Sequence, residues 1–201
     1  MIKLFCYADY WHVNNVRHIF EPSIIFARDN GFIMKVTDHK DDYSYWKALR
    51  EVWNKDDLIN LEHDVLPTQE QLEELEKCKE DLCTFVYDTD NINYKGYNAN
   101  VNMSSVWNYS YFDNNRVPDS KQFVKIYDEN IKYSQGSVFG FIKISKKIQN
   151  ELDEFMNTPI RWFEGIDSVI SYQTAKLGYK WHIHRYVTHN HKEDFRALLG
   201  Y

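Results

Sequence analysis

Through its first 87 residues the chain alternates two hydrophobic rhythms. Four short apolar runs, at 4–8, 32–36, 58–61 and 82–87, read as buried strands. Between them lie segments whose apolar residues recur three and four apart, the spacing of one helix face. The first segment spans 16–28. Pro22 removes a donor there and clashes with the preceding turn, which offers Glu21 as an alternative start. Asn30-Gly31 ends it. The second, 43–53, takes Asp41 or Asp42 as its cap and carries Trp46, Leu49 and Trp53 on its apolar face. The third opens on Thr68 and Gln71, spaced as a capping box, and runs through Leu72, Leu75 and Cys78. Such alternation predicts an α/β fold: a single domain with a mostly parallel sheet flanked by helices. Right-handed crossovers then gather the carboxyl ends of the strands on one edge, where ligands of such sheets bind.

Beyond residue 88 the rhythm dissolves. Residues 88–135 are rich in Asn, Tyr and Asp and read as a long irregular excursion with room for a hairpin. Segments of that length within a domain are usually functional loops or lids. Order resumes with a strand at 137–144. Ser145 caps a helix carrying Ile148, Leu152 and Phe155. Thr158-Pro159 opens a further helical stretch that ends near Leu177 with Gly178 beyond, unless Gly165 marks its true start. Residues 181–188 alternate like a last strand.

Composition narrows the classes. The chain has 201 residues, 43% hydrophobic and 16% aromatic, enough for a substantial core in one domain spanning 1–201. Its net charge of −6, with no dense Lys/Arg run, argues against a dedicated nucleic-acid binder. Cys6, Cys78 and Cys83 are too few for a disulfide scaffold, and no second Cys pair completes a zinc knuckle. A reducing, cytoplasmic setting is expected, since no apolar run suits a signal peptide or a membrane span. The Asn-, Lys- and Tyr-rich composition would suit an AT-rich genome, such as many phages have.

Three constellations can carry chemistry. Glu62-His63-Asp64 follows the apolar run 58–61, so two carboxylates one residue apart stand at a strand's carboxyl end. Hard cations such as Mg²⁺ or Mn²⁺ take such oxygens and join them to substrate phosphates. His182, His184, His189 and His191 fall within ten residues, with the first pair on one strand face. Glu164 and Asp167 sit near the start of the penultimate helix, where a carboxylate either caps the helix or removes a proton from a hydroxyl. Gly-x-Gly-x-x-Gly, Walker, Gly-x-Ser-x-Gly and His-Glu-x-x-His motifs are missing from the sequence, which weighs against the enzyme classes that use them.

These residues resemble a group of small phage and bacterial glycosyltransferase-like proteins. The likeness covers residues 46–53, 58–67, Cys78, 82–87, 162–167, Gly178, His182-Ile183-His184 and His189-Asn190-His191, about two thirds of the chain. That group is similar to the GT-A glycosyltransferases. The resemblance implies a nucleotide-sugar-binding fold with an acidic Asp-x-Asp-like motif after a central strand, the place that Glu62-His63-Asp64 occupies. It implies Asp64 as the direct ligand of Mn²⁺ or Mg²⁺ and a late histidine, His189 or His191, completing the site. It implies an acceptor-facing carboxylate at Asp167 or Glu164. Glu62 departs from the usual Asp, and its longer arm would reach the ribose or a metal-bound water.

The expected activity is transfer of a sugar from a nucleotide-sugar donor to a protein, glycan or modified nucleic acid. Tyr7, Asp9, Asp38, Glu62 and His63 are the candidate nucleotide-sugar contacts, and no membrane partner is expected. Two other readings stand beside it. One is a metal-dependent hydrolase built on the late histidines and Asp64. The other is a non-catalytic, virion-associated or inhibitory module that keeps the cleft.

Overall fold

The structure is a computed structural model, and it describes residues 1–8, 17–38, 40–86, 105–112, 121–123, 130–161 and 165–189. Its centre is a seven-stranded sheet in the order β2-β1-β3-β10-β5-β11-β8. The strands are β1 (Ile2–Ala8), β2 (Ile33–Thr37), β3 (Leu58–Glu62), β5 (Leu82–Phe85), β8 (Tyr133–Ser134), β10 (Phe141–Ile144) and β11 (Trp181–His184). Five of the seven run the same way, and β10 and β8 oppose them. The fold is therefore α/β with a mostly parallel sheet flanked by helices.

Each helix forms where the sequence supplies both an apolar face and an end signal. In α1 (Arg17–Asp29), Phe20 and Ala27 are buried. The helix continues through Pro22, so the alternative start near Glu21 is not the one taken. The missing donor is tolerated because the helix is anchored on both sides of it by buried Phe20, Ser23 and Ala27. Gly31, at φ 73°, closes α1 in a Schellman motif: Phe32 N–H donates to Ala27 O at 3.0 Å and Gly31 N–H to Arg28 O at 3.2 Å. The capping box expected at Thr68 and Gln71 is formed at the start of α3 (Gln69–Lys77).

Side chains alternate across the sheet, which divides the core in two. Leu4, Leu58, Leu82, Ile142 and Trp181 pack against α2 (Ser44–Val52), α4 (Lys146–Glu151), α5 (Asp153–Met156) and α6 (Ile166–Lys176). Phe5, Ile59, Leu61, Cys83 and Phe141 pack on the other face against α1 and α3. Fully buried Leu and Phe side chains each contribute about 1.5–3 kcal/mol to folding.

The structure departs from the sequence reading in three places, one being the helix after Ser145, which breaks at Leu152 into α4 and α5. Residues 137–144 are two strands, not one: β9 (Gly136–Ser137) and β10, parted at Phe139-Gly140 because the two segments pair in different sheets. The last helix takes the alternative start the sequence offered: α6 begins at Ile166 with Gly165 as its N-cap, not at Thr158-Pro159. Residues 181–188 also divide, into β11 and β12 (Thr188–His189), and β12 leaves the main sheet to pair with β4 (Val65–Leu66). Within 88–135 the described residues include the antiparallel pair for which the sequence left room. These are β6 (Val106–Tyr109) and β7 (Lys121–Phe123), which with β9 form a three-stranded sheet. No helix among the described residues is long and apolar enough to cross a membrane.

That smaller sheet is seated on α6 through Ser171, whose hydroxyl donates to Ser137 O and accepts from Ser137 N–H, each at 3.1 Å. Its tightest point is Gly136, opposite Trp107. A Cβ at Gly136 would lie 2.2 Å from Trp107 Nε1, on a ring that is itself buried. Gly136→Ala should therefore lower stability by about 2–3 kcal/mol through overpacking. Thr68→Ala should lower it by about 1 kcal/mol through loss of the cap. Urea unfolding midpoints at unchanged slope would check both. Equal effects of the two variants would contradict the close-packing account.

Candidate functional site

Glu62 is the last residue of β3 and lies at the carboxyl edge of the sheet, beside Cys6 of β1. Its backbone N–H donates to Gly140 O at 2.9 Å, which ties β3 to the turn entering β10. Its carboxylate faces the α2 side. There Tyr45 Oη–H donates to Glu62 Oε1 at 2.6 Å. Asn60, fully buried two residues earlier on the same face, donates from Nδ2 to Tyr45 Oη at 2.9 Å and to Phe139 O at 2.8 Å. A relay of Asn60, Tyr45 and Glu62 thus fixes the acid's orientation from inside the core.

The turn after β3 separates the three residues of the acidic tripeptide. His63 turns to the α1 side, where its ring meets Phe20 edge-on at 4.3 Å between centroids. Asp64 comes close enough to Glu62 for its charge to act on it. Val65 then pairs with His189 across β4 and β12. Strand β12 is therefore brought to the residue after Asp64. The side chain of His189 lies outside the described residues, as do Asp9, Glu164 and His191.

Asp167 stands in the first turn of α6, and its carboxylate accepts the Ser168 N–H at 2.7 Å. Lys121 of β7 lies beside it, donating to the Ser168 hydroxyl, with its ammonium 4.3 Å over the Trp107 ring. Tyr109, opposite Lys121 in the β6–β7 pair, directs its hydroxyl to Ser168 O at 3.4 Å.

Electrostatics bind these groups into one site. Burial, then the charge of Asp64 and finally that of Asp167, push the Glu62 carboxyl from 4.5 up to about 8, against the Tyr45 hydrogen bond. Burial and Glu62 together raise the Tyr45 phenol and the Cys6 thiol well above their ordinary ranges. Burial also raises Asp167, and the Lys121 charge opposes that rise. Lys121 is lowered by burial, with Asp167 countering. Glu62 thus holds a proton near neutrality. Among the described residues, the oxygens of Glu62, Asp64 and Asp167 do not close into a ready-made set of metal ligands; they act on one another through charge.

Other sequence candidates fall elsewhere. Tyr7 packs toward Phe5, 5.9 Å between ring centroids, on the α1 side. Asp38 follows β2, and its carboxylate accepts the Lys40 N–H at 2.8 Å in a surface turn. His182 and His184 face the α3 side, beside Cys78 and Cys83 and across the sheet from Glu62. A hydrolase using all four late histidines with Asp64 would therefore lack two of its ligands. Tyr45, Asn60, Tyr109 and Lys121 were not singled out from sequence. Only Asn60 carried a signal, as an amide inside an apolar strand.

No protein-family model matches the chain, and no curated protein matches it. Among solved structures it is similar to A197 from STIV, at 15% identity and a TM-score of 0.52 over 93% of this chain and 83% of that one. It is also similar to the inositol-1-phosphate CTP transferase from T. maritima, at 12% identity and a TM-score of 0.48 over 100% of this chain and 95% of that one. A third is CMP:2-keto-3-deoxy-manno-octonic acid synthetase complexed with CTP, at 11% identity and a TM-score of 0.45 over 100% of this chain and 99% of that one. The last two align too loosely to bear on function. The likeness to A197 is one of fold: a mostly parallel α/β sheet with helices on both faces.

Proposed function

We propose that this chain is a metal-dependent glycosyltransferase of the GT-A type, moving a sugar from a nucleotide-sugar donor to a protein, glycan or modified nucleic acid. What supports this reading is a buried carboxyl, Glu62, at the carboxyl edge of the sheet within range of the charges of Asp64 and Asp167, with β12 paired to Val65 next to Asp64. Asp64, with His189 or His191, would hold Mg²⁺ or Mn²⁺. When bound, that ion supplies charge neutralisation for the donor's diphosphate.

The remaining work falls to the chain's own groups. Glu62, held by Tyr45, releases its proton and supplies an oriented acceptor for the ribose or a metal-bound water. Asp167, whose burial raises its proton affinity against the charge of Lys121, would accept the proton of the acceptor hydroxyl. Lys121, anchored by Ser168 and Trp107, adds positive charge where the leaving group departs. Asp9, Asp38, Tyr7 and His63 would be the nucleotide contacts, although Tyr7 and His63 face the α1 side and Asp38 lies in a surface turn.

Thermal melting with Mn²⁺ and a panel of UDP-, GDP-, CMP- and TDP-sugars tests the assignment. A true ligand at a hundred times its Kd should stabilise the fold by about 2.7 kcal/mol. Asp64→Ala should abolish that shift, and no shift with any donor would overturn the reading. Once a donor is found, Asp167→Asn should lower kcat by about 10²–10⁴-fold with KM little changed. A change confined to KM would contradict its role as the base.

Glu62 also sets a pH dependence. Its folded pKa, about 8, lies above the ordinary 4.5, so the folded state holds the extra proton between those values. Stability from this group is complete below pH 4.5 and is lost as pH rises through 8. Glu62→Gln should flatten that decline in chemical denaturation. Metal, which binds the ionised form, should stabilise more at pH 8 than at pH 6. An identical pH profile in wild type and Glu62→Gln would sink this account of the site.

A further inference from the structure

Across the sheet from the acidic site, four groups with metal-ligating chemistry converge. Cys78 caps the end of α3, Cys83 lies on β5, and His182 and His184 lie on β11. One donor atom from each of the four lies within 4.8 Å of every other. Register explains the meeting. His182 pairs beside Cys83, and strand alternation turns Cys83, His182 and His184 to the same face, under the end of α3.

We infer that Cys78, Cys83, His182 and His184 form a tetrahedral zinc site that clips α3 to β5 and β11. Two thiolates and two imidazoles are the donor set of closed structural zinc sites. His182 Nδ1 lies 3.7 Å from Cys78 Sγ. The edge between sulfur and nitrogen in a zinc tetrahedron, from bond lengths of about 2.3 and 2.05 Å, is about 3.6 Å. His184 supplies an independent sign. Its Nδ1 is 2.6 Å from Glu74 Oε1, which fixes the ring as a carboxylate fixes a metal-bound histidine. Its Nε2 is buried and has no hydrogen-bond partner among the described residues, while the ring is 6% exposed. A buried ring nitrogen without a partner is costly, and a metal ion satisfies it. Phe85, stacked on His184 at 5.0 Å between centroids, holds the ring in place.

The structure joins Cys78 and Cys83 as a disulfide, the oxidised form of the same two ligands. Their Cα atoms, however, are 7.1 Å apart, outside the usual span of about 4.4–6.8 Å. A zinc ion between them needs no such approach. The site also bears on the tail of the chain. Only residues 185–187 separate His184 from β12, the strand that pairs beside Asp64.

The test is to isolate the full chain without a tag, under reducing conditions, from zinc-supplemented culture, and to measure zinc and free thiols together. About one zinc per chain is expected. Cys78→Ser and His182→Ala should each reduce it at least about tenfold, while Asp64→Ala should retain it. Cobalt(II) in place of zinc should show thiolate charge-transfer bands and tetrahedral d–d bands, a readout that holds even where a variant fails to fold. Wild-type protein without zinc, whether its cysteines are joined or free, overturns the proposal. So does a cobalt spectrum without thiolate bands, zinc retained in Cys78→Ser, or zinc lost in Asp64→Ala.

Discussion

The candidate site depends on how strand β3 is held. It lies between β1, parallel to it, and β10, antiparallel to it, so both of its edges are paired. From Leu58 to Leu61 it is fully buried. A strand so enclosed has little freedom in register, and Glu62 is delivered to the sheet edge at a fixed height. Asn60 reinforces this by bonding the turn before β10 and the Tyr45 hydroxyl at once. The strand that anchors the core therefore also aims the acid. Desolvation of that acid is the cost of placing it there, and it leaves Glu62 protonated unless a cation arrives.

The sheet separates two chemistries. On the α2 and α6 side stand the carboxyls of Glu62 and Asp167, with Lys121 beside Asp167. On the α3 side stand the softer sulfur and nitrogen donors of Cys78, Cys83, His182 and His184. A hard cation and zinc would thus find different faces of one scaffold, by the ordinary preference of each ion. The two sites are joined through the backbone, since β11 leads within a few residues to β12 and the acidic turn.

Much of the first half was legible because its signals are local. The capping box at Thr68 and the Gly31 terminus depend on neighbouring residues, and both formed as the spacing implied. Glu62 and Asp64 stood out because they follow the mostly apolar strand Leu58–Leu61, interrupted only by Asn60. The second half was less readable because its elements are set by partners distant in sequence. Nothing around Lys121 announces that it will reach Ser168 at the start of α6. Residues 137–144 look continuous, yet two different sheets claim their ends. Cys78 and Cys83 lack a second Cys pair in sequence, and only the β5–β11 register shows that two histidines stand beside them.

The central claim is that Glu62 gives up its proton when a cation binds at Asp64 beside it. Calorimetric titration with Mn²⁺ at neutral pH, in two buffers of different ionisation enthalpy, counts the protons released on binding. The account predicts close to one proton per ion in the wild-type chain and close to none in Glu62→Gln. Binding without proton release in the wild type would contradict it.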